Sequence, residues 1–366
     1  MRILLVGGGS GGPVAPLLSV AEHIAEHHPK AEFLVVGTNS GPEKNMATAA
    51  GFKFAAITAG KWRRYFSWQN FAAPFLVLAG FFQALKIIAN FKPDCVFGTG
   101  SFVQVPVAWA AKLKGVPVVL HQQDVVPNLA NNLCELAASR ITVAFDATVK
   151  SFASNIGFFY KKTRQDKIVL TGNPFRENLR KSTREQGLKF FGLSENFPTL
   201  LVLGGGTGSE FLNSLIYDCL PELAKTVQII HATGAKKMRG PANAQNYRAF
   251  EFIDHMGEAY AASDIVLARA GMSTVTELSN LKKFSIIVPL PNSPQEENAL
   301  YLAYRQAAMV LDQERISTEG FAGLIRKLLF ERGFTEKIKR NIAEIMPKEA
   351  ARKIAEIIIK LAETSS

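Results

Sequence analysis

The chain has 366 residues, of which 48% are hydrophobic, and a formal net charge of +11. That length gives room for about two domains, and the apolar fraction excludes a disordered chain. The basic balance suits anionic partners, namely nucleic acid, acidic phospholipid or phosphorylated substrates, and does not choose among them.

Residues 2–6 read as a buried first strand, too short for a secretory signal and running straight into glycines. Residues 16–27 read as a helix, 31–36 as a second strand and 52–57 as a short third. Residues 71–91 are about long enough to span a bilayer. Pro74, Gly80, Gln83, Lys86 and Asn90 interrupt them, which disfavours a spanning helix. Further strands are expected at 94–97, 116–120 and 140–143, with a helix at 104–113. Residues 157–166 are polar, aromatic and basic, and read as a linker. A second series of strands opens at 167–171 and continues at 199–203, 227–232, 265–268 and 284–288. Residues 334–362 read as helical, with Lys and Arg on the polar face. Short apolar runs separated by helices are the pattern of parallel α/β sheets. The fold class is therefore α/β, with two doubly wound domains at 1–160 and 167–345. A C-terminal helix within 346–366 could pack back on the first. Cys95, Cys134 and Cys219 lie far apart, without disulfide or CxxC spacing, as in a reducing cytoplasm.

Each series has an early strand that runs into glycines. The first loop, Gly7 to Pro13, contains GxGxxG through Gly7, Gly9 and Gly12. The second strand ends Val36, Gly37, Thr38, Asn39, without the acid that holds a dinucleotide's ribose, which argues against nicotinamide or flavin. Two readings stay open: amides presented to a ligand, or a tight turn with none. The second loop, Gly204, Gly205, Gly206, Thr207, Gly208 and Ser209, follows the most apolar strand and opens a helix, a setting for phosphate. No GKS or GKT follows, so it is not a P-loop.

These loops occur in order with other segments: GKWRRYFS at 60–67, then 98–106, 118–132, 172–176, 251–260, RAGMSTVTE at 269–277, and 295–299. Together they resemble the MurG family of UDP-N-acetylglucosamine transferases, from the first residues to Ala299. The resemblance implies the GT-B arrangement, two Rossmann-like domains facing a cleft. The first domain would face the acceptor and the membrane, and the second would bind the donor. It implies inverting transfer of N-acetylglucosamine from UDP-N-acetylglucosamine to the C4 hydroxyl of the muramoyl-pentapeptide on undecaprenyl diphosphate, a step in peptidoglycan precursor synthesis. It also implies no cofactor, no protein-bound metal, and a peripheral place on the cytoplasmic face of the cell membrane.

By the same resemblance, Glu277 matches the acid that holds the ribose hydroxyls; a carboxylate offers two acceptor oxygens to a diol. Phe252 and Ile253 match the uracil-facing segment. Met272, Ser273 and Thr274, with Arg269 in the same run, match the helix start near the diphosphate. Gln295 and Asn298 match donor-sugar contacts. Asn173 and Arg176 match an NPxR segment whose arginine neutralises diphosphate charge. The family's GGSQGA donor loop is GGGTGS here, which gives Gly205, Gly206 and Thr207 to the donor. Ser10, Gly11 and Gly12 are assigned to the donor as well. Gly9, Ser10, Gly11 and Gly12, with Ser101 and Phe102, are assigned to the acceptor.

The family's first loop reads GGTGGH, with a catalytic histidine; this chain has Pro13 there, which offers neither a side-chain base nor a backbone donor. The family's HEQN reads His121, Gln122, Gln123, Asp124. The acceptor hydroxyl has to lose its proton, so Asp124 is the expected base, with His121 sharing the task as the alternative. Asp124 could instead turn the loop ahead of Val126 and Pro127. Lys61, Trp62, Arg63 and Arg64, followed by Phe75, Phe81 and Phe82, suit an anionic bilayer interface. A buried helix with one solvated basic turn is the competing reading. No zinc spacing or nucleic-acid motif is present, so nucleic acid is not an expected partner. Two other functions stay open: a UDP-sugar-binding protein without catalysis, and a transferase for a different lipid acceptor.

Overall fold

The computed structural model describes residues 1–9, 11–60, 69–154, 165–239 and 243–364. The chain divides into two compact units, Met1–Phe175 with Met346–Ser366, and Arg176–Ile345.

The first unit runs β1 (Arg2–Val6), α1 (Gly11–His27), β2 (Glu32–Gly37), α2 (Glu43–Ala49), β3 (Lys53–Ala56), α3 (Gln69–Phe91) and β4 (Cys95–Gly98). It continues with α4 (Gln104–Leu113), β5 (Val118–Gln122), α5 (Leu129–Cys134), β6 (Arg140–Val143), α6 (Asp146–Ser154) and β7 (Ile168–Leu170). All seven strands form one parallel sheet in the order β3-β2-β1-β4-β5-β6-β7. Successive residues of a strand face opposite sides, and both sides are covered here. Leu4, Val6, Val96, Val118 and Leu120 pack with residues of α3 and α4, whereas Ile3, Leu5, Phe97 and Val119 pack with α1. That double burial is why β1 reads as an unbroken apolar run rather than an alternating one.

The second unit runs α7 (Arg184–Phe191), β8 (Thr199–Leu203), α8 (Glu210–Leu223), β9 (Gln228–Ala232), β10 (Asn243–Ala244), β11 (Tyr247–Phe250), α9 (Met256–Ala262) and β12 (Ile265–Ala268). Then come α10 (Met272–Leu281), β13 (Ser285–Ile287), α11 (Pro294–Tyr304), β14 (Met309–Val310), α12 (Thr318–Phe330) and α13 (Arg332–Ala343). Its sheet has the order β10-β11-β9-β8-β12-β13-β14, parallel except that β10 runs against β11. The final helix, α14 (Ala350–Glu363), belongs to the first unit. Its buried residues Ile354, Ala355, Ile358 and Ala362 pack with Leu17, Val20, Ala21 and Ile24 of α1.

Two readings of the sequence change. Residues 167–171, expected to open the second series, end the first, because β7 pairs with β6. The boundary therefore falls between Phe175 and Arg176 rather than before residue 167. The helical tail is two helices, broken around Pro347 and Glu349, whose φ is +58°. Most of the expected linker at 157–166 lies outside the described residues. The three cysteines are buried free thiols.

Candidate active site

In each sheet the strand order reverses beside the first strand, between β1 and β4 and between β8 and β12. Ligands in open α/β sheets bind at the carboxyl ends of strands at such points. Both glycine loops stand there.

In the first unit, β1 turns through Gly7–Gly9 into α1. Gly9 has φ +83°, and a Cβ on it would fall 2.7 Å from the Phe102 ring. Pro13 lies in the first turn of α1, where a missing N–H breaks no helical bond. Its carbonyl accepts the Thr99 hydroxyl, which pins the loop to the turn after β4. Gly11 and Gly12 begin the helix and are half-buried, whereas Ser10 lies outside the described residues. In the neighbouring turn Ser101 is 4% exposed, and its hydroxyl has no hydrogen-bond partner among the described residues. An unmet buried hydroxyl costs about 1–3 kcal/mol. Phe102 is half-buried beside it.

A row of buried amides shapes the floor. Gln104 Oε1 accepts Gly100 N–H at 2.7 Å, and its Nε2 donates to Asn131 Oδ1 at 2.6 Å. Asn131 Nδ2 donates to Gln122 Oε1 at 2.6 Å. Gln122 Nε2 in turn donates to the carbonyls of Asp124 and Val126, both at 3.0 Å. These contacts hold the bend that carries Asp124, whose side chain is half-buried.

His121 is different. It lies within β5, is fully enclosed, and meets Thr142 Oγ1 at 2.9 Å and Asn173 Oδ1 at 2.8 Å. The Asn173 oxygen calls for a proton on Nε2, while the Thr142 hydroxyl donates to the Leu120 carbonyl at 3.1 Å. Burial pushes the ring's pKa down to about 4. The expectation that His121 shares the base task is therefore corrected: a central strand seals the ring, and it holds Asn173 instead. Asn173, expected at the donor, is itself buried against His121.

In the second unit, β8 turns through Gly204–Gly208 into α8, whose cap Ser209 accepts Leu212 N–H. Gly208 has φ +72°, and a Cβ there would fall 2.1 Å from the Thr233 carbonyl, so only glycine fits. Gly205, Gly206 and Thr207 are exposed at the helix start. Beneath them Asn213 donates to that same Thr233 carbonyl at 2.9 Å and meets His231 Nε2 at 3.0 Å. His231 Nδ1 meets the Tyr247 hydroxyl at 2.9 Å, and burial pushes this ring also down to about 4.

Glu277, in α10, is almost buried, with Oε1 2.8 Å from Arg176 Nη2 and Oε2 accepting the Tyr260 hydroxyl at 2.7 Å. Tyr260 is 1% exposed; burial, and then the Glu277 charge, hold its pKa well above the usual phenol value. Tyr260 had no role in the sequence reading, although it closes the quoted 251–260 segment. Met272 is buried at the start of α10, and Ser273 and Thr274 are half-buried beside it. Arg269 spends its guanidinium inside the unit, on Ser209 Oγ and the carbonyls of Val288 and Pro289. It thereby ties the α8 cap to the end of β13. After β11, Phe252 is 66% exposed while Ile253 is buried. Gln295 Oε1 accepts Leu290 N–H, and Asn298 donates to the Ala270 carbonyl just before α10.

The helix α3 carries an apolar stripe. Phe75, Leu78 and Phe82 are 75%, 53% and 61% exposed, at the spacing of one helix face. Its opposite face belongs to the core: Ala84 and Ile88 are buried, Phe81 packs against the same cluster, and Gln83 exchanges hydrogen bonds with Thr58. By length and composition alone, Pro74–Phe91 could cross a membrane. Lys61, Trp62, Arg63 and Arg64 lie outside the described residues.

Comparison with known proteins places this geometry. Residues 3–143 match the glycosyltransferase family 28 N-terminal domain and 199–357 its C-terminal domain. The chain is 34% identical, over 98% of its length and 99% of the relative's, to a Clostridium kluyveri protein named UDP-N-acetylglucosamine–N-acetylmuramyl-(pentapeptide) pyrophosphoryl-undecaprenol N-acetylglucosamine transferase. A Clostridium tetani protein of the same name is 36% identical, covering 98% of both chains. Among solved structures, MurG of Acinetobacter baumannii matches with a TM-score of 0.72 at 24% identity, covering 98% of this chain and 99% of that one. A UDP-GlcNAc 2-epimerase from Neisseria meningitidis, bound to UDP-GlcNAc, matches with a TM-score of 0.70 at 15% identity, covering 98% of this chain and all of that one.

The buried rings set an acid limit. His121 and His231 bind protons more readily unfolded, at about 6.5, than folded, at about 4. Their contribution is complete above about pH 6.5 and is lost as pH falls from there to 4, by roughly 3 kcal/mol per ring. Urea unfolding of wild type and His121→Gln checks this: the stability gap at pH 7 should narrow by that order at pH 4.5. A gap independent of pH contradicts it.

Proposed function

The chain belongs to the MurG family within glycosyltransferase family 28, and we propose that it transfers N-acetylglucosamine from UDP-N-acetylglucosamine, with inversion, to the C4 hydroxyl of the muramoyl-pentapeptide on undecaprenyl diphosphate. The observation that carries this reading is Glu277, held between Tyr260 and Arg176 on α10, the helix that follows β12 at the strand reversal of the second unit. The names and near-complete overlap of the clostridial relatives support the same substrates.

We assign the ribose hydroxyls to Glu277 and the diphosphate to the amides of Gly205, Gly206 and Thr207 at the start of α8. Amides and the helix dipole there stabilise the charge of departing UDP. Half-exposed Arg176 adds a cation to that charge. The exposed ring of Phe252 suits stacking on uracil, with Ile253 behind it. Ser273 and Thr274 stand at the helix start toward the diphosphate, and Gln295 and Asn298 toward the sugar. Gly11, Gly12, Ser101 and Phe102 are assigned to the acceptor. As the bond from the acceptor oxygen to the anomeric carbon forms and the bond to the UDP oxygen breaks, Asp124 takes the hydroxyl proton.

The exposed stripe of α3 and the basic run at 61–64 support peripheral attachment to an anionic bilayer on the cytoplasmic face, where the lipid-linked acceptor would be met. Because Phe75 and Phe82 are exposed, changing both to serine should leave folding intact. It should lower sedimentation with anionic phospholipid vesicles by about tenfold or more; unchanged sedimentation would remove the stripe from this role.

A transfer assay with UDP-N-acetylglucosamine and the lipid-linked muramoyl-pentapeptide tests the reaction. Wild type should release UDP and form disaccharide. Asp124→Asn should lower kcat by about 10²-fold or more with UDP affinity unchanged. Full turnover by Asp124→Asn would exclude it as the base. UDP-sugar binding by wild type without product would favour a donor-binding protein or another acceptor, the reading that Pro13 favours.

A further inference from the structure

Glu43 opens α2 and is fully enclosed, at 0% exposure; carboxylates are seldom buried whole unless paired. Its partners are donors of the backbone and a hydroxyl. Oε2 accepts Gly9 N–H at 3.2 Å, while Oε1 accepts Thr38 N–H at 2.7 Å and the Thr38 hydroxyl at 2.6 Å. The space it fills is cleared by glycines from two loops. A Cβ on Gly8, Gly37 or Gly41 would fall 2.5, 2.4 or 1.8 Å from its side chain. One carboxylate thus fastens the turn after β1 to the end of β2 and the start of α2.

The arrangement has a consequence for the loop. The Gly9 amide is spent on Glu43 and points into the unit, not toward a ligand. What the loop presents is then set by the backbone that follows, Gly11 and Gly12 at the start of α1. We propose that Glu43 is a positioning residue for this loop, which fixes the backbone that receives the lipid-linked acceptor; this rests on the acceptor assignment made above. Glu43 is not itself a base for the reaction, because both oxygens are engaged and neither meets solvent. It acts through the Gly9 amide.

Glu43→Gln tests this with little change of volume. The new amide group donates, so it sets a donor against either Gly9 N–H or Thr38 N–H and loses a contact. Gly41→Ala reaches the same end by another route, because it crowds the carboxylate without replacing it. In the full chain, both variants should raise the acceptor KM about tenfold or more while calorimetric affinity for UDP stays within twofold. Amide hydrogen exchange should quicken at Gly8 and Gly9, with β1 still protected. An unchanged acceptor KM and unchanged loop exchange in both variants would overturn the proposal even if wild type makes product. Uniform loss of protection across the first unit would also overturn it, making Glu43 a residue of the fold only. If wild type itself makes no product, the reaction assigned above fails separately, and loop exchange alone decides the role of Glu43.

Discussion

The structure depends on one constraint met twice: a buried strand must turn into a helix where the sheet order reverses, with no room for a side chain. At Gly7 a Cβ would lie 2.3 Å from Leu17, and at Gly204 it would lie 2.3 Å from the Ser209 amide. Backbone atoms cannot give way as a flexible side chain does, so the second loop is the stricter. The same closeness puts helix starts and backbone amides at the carboxyl ends of the strands, where an anion gains most from them.

Tight turns leave polar groups inside, and each unit satisfies them differently. The second unit uses Asn213 and His231, and the first uses Gln104, Asn131, Gln122 and the Glu43 carboxylate. These groups are buried in a low-dielectric interior, where a complete set of partners rigidifies and a missing one is costly. Rigidity here has a use. Loops held from beneath present their outer atoms in one arrangement, as transition-state stabilisation by fixed dipoles requires. Glu277 shows the same logic, with its carboxylate aimed by Tyr260 and Arg176 rather than left to rotate.

Much of the fold was legible because its signals are local. The strands at 2–6, 140–143, 199–203 and 265–268 and the helix at 104–113 were read with the bounds the structure has. Apolar runs and glycines carry that information within a few residues. The membership of β7 was not legible, since pairing with β6 is set by tertiary contact and not by periodicity. The break of the tail at Pro347 and Glu349 was not placed, although a C-terminal helix within 346–366 returning to the first unit was among the expectations. Among the proposed site residues, the matched segments supplied Glu277, the glycine loops and Asp124. They gave no sign that Tyr260 holds Glu277 or that Arg269 turns inward, since these contacts join residues far apart in sequence. His121 was misread because the strand was expected to end at Leu120, whereas β5 runs on to Gln122 and carries the ring inside. Pro13 stood out in the sequence, and the structure explains how the helix start tolerates it.

The central claim is that the second unit reads a uridine nucleotide through a carboxylate aimed by a buried phenol. Calorimetric titration of UDP-N-acetylglucosamine into wild type, Glu277→Gln and Tyr260→Phe addresses it directly. A hydrogen bond to a charged group is worth about 1.5–3 kcal/mol. The account therefore predicts binding by wild type, a loss of at least about tenfold in Glu277→Gln, and a smaller loss in Tyr260→Phe with the fold intact. Equal affinity in all three proteins would contradict it.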